Sequence, residues 1–251
     1  MQYFFKNKSR KFISIIDMIK KYIVKKGRFH MQVQFEALIF DLDGVIVDTI
    51  NFYYQANKMI ADEANVYFTQ EWNQQMQGIS RYETVKQIVR QSDKVYSEEE
   101  IHALAEKKNH HYQALIETLD EKAILPGIFQ LIKEAKAAEI KLAIASSSSN
   151  AMYVLEKIGL RSYFDKVVTS RDVKRGKPNP EIFLTAAKAI GIHSRNCVAI
   201  EDGIAGLTAI KQTDMFSIGV GLHEGMEQAD WQVSSTHELT FESVNKKFVN
   251  R

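Results

Sequence analysis

The chain has 251 residues, 45% of them hydrophobic and 25% charged, enough to bury one sizeable core and still carry a smaller inserted unit. Its single cysteine, Cys197, excludes an internal disulfide, no Cys/His cluster has the spacing of a structural zinc site, and the apolar run at residues 12–19 is too short and too polar at Asp17 to span a bilayer. The formal charge of +2 is uneven: residues 1–30 hold nine Lys/Arg against one acid, leaving 24 basic and 30 acidic residues elsewhere, a net of −6 that is ordinary for a soluble cytoplasmic enzyme.

In chain order, residues 1–30 form a basic N-terminal extension in which Phe12, Ile15, Ile16, Ile19, Tyr22 and Ile23 recur at helical spacing with lysines on the other face. Such a stretch can lie on an anionic membrane or dock on a protein, but a simple tail is the expectation, and no nucleic-acid partner is expected. From residue 36 short apolar strands alternate with helical stretches. The strands are Ala37–Phe40, Lys141–Ala145, Lys166–Thr169, Cys197–Ile200 and Phe216–Val220, each continuous in apolar residues as strands buried on both faces must be. Helices begin near Ile128, Asn150, Pro180 and Ile204, after turns that include Pro126-Gly127 and Gly176-Lys177-Pro178. The pattern predicts an α/β fold, a doubly wound parallel Rossmann-like sheet.

The roughly seventy residues between the first strand and Pro126 have helical periodicity, and Ser97 followed by Glu100 forms a capping box within them. That interval is too long for a connection and predicts an inserted all-helical cap. The expected organisation is therefore 1–30 as extension, 31–48 and 120–251 as the α/β core, and 49–119 as the cap.

Four polar clusters fall where strands end. Asp41 and Asp43 leave the first strand at i and i+2, on the same side, followed by Gly44. Paired acids so placed suit a nucleophile and a proton shuttle. The run Ser146-Ser147-Ser148-Ser149-Asn150 ends a strand and opens a helix, where hydroxyls and backbone N–H groups can meet an anion. Lys177 projects from a Gly-Lys-Pro loop, and Glu201-Asp202-Gly203 closes the fourth strand with hard oxygen donors suited to magnesium. Each cluster taken singly also fits an ordinary turn, cap or surface loop.

Together, in this order, the series Asp41-x-Asp43-Gly44-Val45, Ser146, Lys177-Pro178 and Glu201-Asp202 resembles the four motifs of the haloacid dehalogenase superfamily, in its small-helical-cap branch, over about residues 36–221. The resemblance implies that Asp41 forms an aspartyl-phosphate, that Asp43 is general acid and base, and that Ser146 and Lys177 hold the transferring phosphoryl group. It implies Mg2+ bound by Asp41, the Asp43 carbonyl, Glu201 and Asp202. An acid at Asp43 also favours phosphoryl transfer over the superfamily's dehalogenases and phosphonate hydrolases, and the expected partner is a small phosphorylated metabolite, a sugar phosphate.

Within the cap, Gly78-Ile79-Ser80-Arg81 resembles the substrate loop of β-phosphoglucomutases, and Lys108-Asn109 falls where they carry a cap lysine and asparagine. Arg81 is thereby expected to hold a second phosphate, with Ser147, Ser148 and Asn150 as further contacts. Two positions depart from those mutases: Tyr53 stands for a hinge histidine and Asn57 for a tryptophan. On this basis hydrolysis of a sugar phosphate is placed ahead of β-glucose 1-phosphate isomerisation. A catalytically silent binding protein is the third alternative, opposed by the intact acids and Lys177. His102, His110 and His111 are expected to face solvent on a cap helix.

Overall fold

The structure, a computed structural model, describes residues 33–251. The basic extension at 1–30 lies outside the described residues. Six parallel strands form one sheet in the order β3-β2-β1-β4-β5-β6. They are β1 (Ala37–Phe40), β2 (Lys141–Ser146), β3 (Lys166–Thr169), β4 (Cys197–Glu201), β5 (Phe216–Val220) and β6 (Trp231–Val233). The first five match the sequence expectation within one residue. β6 carried no signal: three residues, two of them half-exposed, give no apolar run.

Strand periodicity sorts the core into two layers. From β1, Leu38 and Phe40 face one side with Leu142, Ile144, Val198 and Ile200, under helices α5 (Ile128–Ala137), α6 (Ala151–Lys157) and α9 (Phe241–Val249). Ala37 and Ile39 face the other with Ala143, Ala145 and Val168, under α7 (Glu181–Ala189) and α8 (Ile204–Ile210). Every residue of β1 is buried on both faces, which centres the sheet on the strand that delivers Asp41.

Between β1 and β2 the chain makes four helices before α5: α1 (Ile50–Glu63), α2 (Gln70–Gln75), α3 (Arg81–Val89) and α4 (Glu98–Ile116). They bury a separate apolar cluster that includes Ile60, Phe68, Val85, Ile88, Ile101 and Leu104. Side chains set the helix starts. Thr69 and Ser80 cap α2 and α3, and Ser97 with Glu100 forms a complete capping box at α4. No helix among the described residues is long and apolar enough to cross a membrane.

Candidate active site

Asp41 follows β1 directly and extends its ladder, its N–H donating to the Ile200 carbonyl at 2.9 Å. Phe40 is in register with Ile200 on β4 and Ile144 on β2, so Asp41 is level with Glu201 on one side and with Ala145, the residue before the serine run, on the other. Lys177, in the loop between β3 and α7, is buried against them: its Nζ donates to Asp41 Oδ1 at 2.5 Å and to Glu201 Oε2 at 2.7 Å. This fixes one oxygen of Asp41. Glu201 Oε1 in turn accepts the N–H groups of Asp202 and Gly203 at 3.2 and 3.0 Å.

Two glycines make room for these acids. A Cβ on Gly44, whose φ is +82°, would stand 2.0 Å from Asp202 Oδ2, and one on Gly206 would stand 1.9 Å from Glu201 Oε2. Only a glycine tolerates both the φ and the approach at Gly44.

The cluster holds more negative than positive charge. Asp41, Glu201 and Asp202 each present a carboxylate oxygen within 4.8 Å of the others, all buried, and Lys177 is the ammonium that pairs with Asp41 and Glu201. Burial pulls the Lys177 ammonium down, and the carboxylates of Asp41 and Glu201 more than reverse this, leaving it above its ordinary value. Burial raises Glu201 and Asp202; Asp41 raises both further, and Lys177 offsets only part. Close, hard oxygen donors with surplus negative charge fit a divalent cation such as magnesium. The Asp43 side chain is not in this group, which leaves its carbonyl as the donor the sequence resemblance implies.

Asp43 lines the pocket wall, and its carboxylate is tied to the inserted helices. Thr49 Oγ1 donates to Oδ1 at 2.6 Å, the Tyr112 hydroxyl to Oδ1 at 3.2 Å and the Tyr53 hydroxyl to Oδ2 at 3.3 Å. The rings of Tyr53 and Tyr112 lie 4.4 Å apart. Burial, then the charge of Asp41, pushes the Asp43 carboxyl up to about 6, against the opposing pull of these three donors. Burial and Asp43 hold both phenols well above their ordinary value, so they remain donors.

A partly open pocket of about 100 Å³ lies beside Asp41 and Asp43, between the sheet edge and the inserted helices. Gly78, Arg81, Lys108, Asn109, Ser147, Ser148 and Asn150 all line it, so the structure gathers the expected substrate residues at one site. Lys108 is 3% exposed and pairs with no acid among the described residues. Burial, with Arg81 adding like charge, lowers its ammonium to about 7. Arg81, the first residue of α3, is half-buried and pairs with the exposed Glu106 at 3.3 Å. Ser146 behaves differently: it is fully buried, does not line the pocket, and its Oγ accepts the Ser148 N–H at 3.0 Å, shaping the turn. His102 and His110 are exposed and His111 half-buried, away from the pocket lining.

The sequence model of the haloacid dehalogenase-like hydrolases matches residues 35–214. The chain belongs to the haloacid dehalogenase-like hydrolase family. It is 39% identical over 215 residues to the β-phosphoglucomutase of Bacillus subtilis strain 168, covering 85% of this chain and 95% of that protein. A phosphorylated carbohydrates phosphatase of Thermotoga maritima is 30% identical over 180 residues, 70% of this chain and 80% of the phosphatase. The crystal structure of a β-phosphoglucomutase from Clostridium difficile superposes with a TM-score of 0.82 at 39% identity, over 86% of this chain and 98% of that one.

This haloacid dehalogenase-like site contains groups that sequence reasoning missed. Gln77 Nε2 donates to Asp202 Oδ2 at 2.9 Å, and Ser147 Oγ to the Gly78 carbonyl at 2.6 Å, so the loop before α3 is clasped onto the core. Asn150 Nδ2 donates to Asn109 Oδ1 at 2.9 Å and its Oδ1 accepts Gln113 Nε2 at 3.1 Å, a second clasp. Tyr112 had a usable signal, lying four residues past Lys108 on the same face of α4. Gln77 and Asn73 had none.

Proposed function

We propose that this chain transfers phosphoryl groups on a sugar phosphate through an aspartyl-phosphate at Asp41, with Mg2+ as cofactor, and that residues 49–119 act as a cap over a core of 31–48 and 120–251. Asp41 attacks phosphorus and the bond to the sugar oxygen breaks. Protonated Asp43 gives its proton to that oxygen. In the second half-reaction ionised Asp43 takes the proton of the incoming hydroxyl as its oxygen attacks phosphorus and the bond to Asp41 breaks. Asp41, Glu201, Asp202 and the Asp43 carbonyl are the residues that would hold Mg2+, whose charge would offset that of the transferring group. Lys177 orients Asp41 through its hydrogen bond, and Thr49, Tyr53 and Tyr112 hold Asp43 for its two proton transfers.

The observation that carries the choice of acceptor is Lys108. A buried ammonium without an acidic partner, beside the Arg81 guanidinium and in the same pocket as Asp41, is a place for a second anion. A hydrolase acting on a monophosphate has no use for it, whereas a mutase must grip one phosphate while the other reacts. The β-phosphoglucomutases named above support the same acceptor, so isomerisation of β-glucose 1-phosphate is the best reading. Hydrolysis is the second, supported by Tyr53 and Asn57, where this chain departs from the mutase pattern.

Phosphorus NMR with Mg2+, β-glucose 1-phosphate and a trace of β-glucose 1,6-bisphosphate separates them. Glucose 6-phosphate without free phosphate is expected; phosphate release alone transfers the conclusion to the hydrolase. Lys108 adds a proton signature. Near pH 8 the empty site is mostly unprotonated, and a bound dianion restores the ammonium, so binding takes up about one proton. Calorimetry in two buffers of different ionisation enthalpy should show this uptake, and Lys108→Met should abolish it and raise KM roughly 10- to 100-fold. Unchanged uptake in the variant would remove Lys108 from the anion site.

A further inference from the structure

Helix α1 runs outward from the reacting acids along one wall of the pocket. Ile50, Tyr53 and Asn57 recur on its pocket face at spacings of three and four. Tyr53 touches Asp43, so Asn57 stands one helical turn, about 5 to 6 Å, farther from the chemistry. That is the reach of a sugar ring from the atom that reacts.

Asn57 is 3% exposed, and its Nδ2 donates to Oδ1 of the equally buried Asn73 at 2.8 Å. Its own Oδ1 is buried with no hydrogen-bond partner among the described residues, and both asparagines line the pocket. An amide carbonyl left unpaired in a buried wall is destabilising, so its retention asks for a partner that the protein alone does not supply. The pocket wall also contains the Ile50 side chain, Thr84, whose hydroxyl is already given to the Ser80 carbonyl at 3.0 Å, and Gln77, whose Oε1 likewise has no partner among the described residues. The vacant valence is therefore an acceptor, and the complementary group is a hydroxyl. The cations that would take a second phosphate, Arg81 and Lys108, are separate side chains of α3 and α4.

We propose that Asn57, oriented by Asn73, is a specificity-determining residue that accepts a hydrogen bond from a hydroxyl on the non-reacting part of the substrate, selecting polyhydroxylated sugar phosphates. This rests on the phosphoryl-transfer reading above. A hydroxyl also suits the reversed orientation of the two amides, because it donates and accepts equally well.

The test compares wild type, Asn57→Leu, which keeps the branched shape and removes the acceptor, and Asn57→Asp, which keeps an acceptor. Acetyl phosphate, which has no hydroxyl, is the control substrate, and β-glucose 1-phosphate and fructose 1-phosphate are the probes. Asn57→Leu should lower kcat/KM for the sugar phosphates about 10-fold or more while acetyl phosphate turnover stays within about twofold, and Asn57→Asp should recover part of the loss. Parallel losses on all substrates, or none, would mean a structural amide pair only and overturn the assignment. Calorimetric binding keeps the question separate from catalysis. If wild type turns over nothing, the function reading fails, yet Asn57→Leu must still weaken binding of fructose 1-phosphate about 10-fold with inorganic phosphate unchanged. Sugar phosphates binding wild type no tighter than inorganic phosphate would overturn the inference.

Discussion

Asp41→Asn is expected to lower turnover by on the order of 10⁴-fold or more, because an amide oxygen cannot form the phosphorylated intermediate. The fold should survive, since Asn has the shape of Asp and β1 is anchored by its buried neighbours on β2 and β4. The variant also has an electrostatic readout. Asp41 is a cause of the upward shift at Asp43, so its neutralisation should bring the Asp43 carboxyl below about 6. For stability the sign follows from the raised value: Asp43's contribution is fully present below its unfolded value of 3.8 and is lost as pH rises through about 6. Asp41→Asn should shrink that loss. Carbon-13 NMR titration of the aspartate carboxyls and rapid-quench search for phosphoenzyme check both points. Activity near that of wild type would sink the nucleophile assignment.

Lys177→Met is expected to be among the most destabilising single changes in the core at neutral pH. Lys177 is the buried ammonium shared by Asp41 and Glu201, and Asp202 lies in the same cluster. Removing one partner of a buried ion pair costs about 3 to 5 kcal/mol when the remaining charge is left uncompensated. In the variant Glu201 and Asp202 lose the group that lowers them, so their folded-state values climb further above the unfolded ones. Stability of such a protein is present below the unfolded carboxylate values near 4 and falls as pH rises through the raised folded ones. Thermal unfolding of Lys177→Met should therefore show a small deficit against wild type near pH 5 and a large one near pH 8. Millimolar Mg2+ should recover part of the deficit, because a divalent cation at the acids replaces the missing charge. A deficit independent of both pH and Mg2+ would show that Lys177 matters only for packing, for instance against the Phe183 ring 5.0 Å away.

What consecutive residues encode was legible. Five strands were readable because a strand covered on both faces is a short unbroken apolar run, as in Ala37–Phe40. Helix starts were readable because caps act within a few residues, as at Ser97 and Glu100. The order of Asp41, Asp43, the serine run, Lys177 and Glu201-Asp202 was readable because the acids and the serine run stand at strand ends and Lys177 is marked by its Gly176-Lys177-Pro178 turn. The tertiary structure decided the rest. Whether Lys108 was solvated or functional depended on which face of α4 met α1 and α3, and that face buries it. The hydroxyl of Tyr112 reaches Asp43 across 69 residues and Gln77 reaches Asp202 across 125, meetings that no local periodicity records. The unpaired Oδ1 of Asn57 is likewise a property of its surroundings. Propensity and pattern are short-range and set the elements and their polar ends, whereas burial, charge balance and unmet hydrogen bonds exist only once distant segments have closed around them.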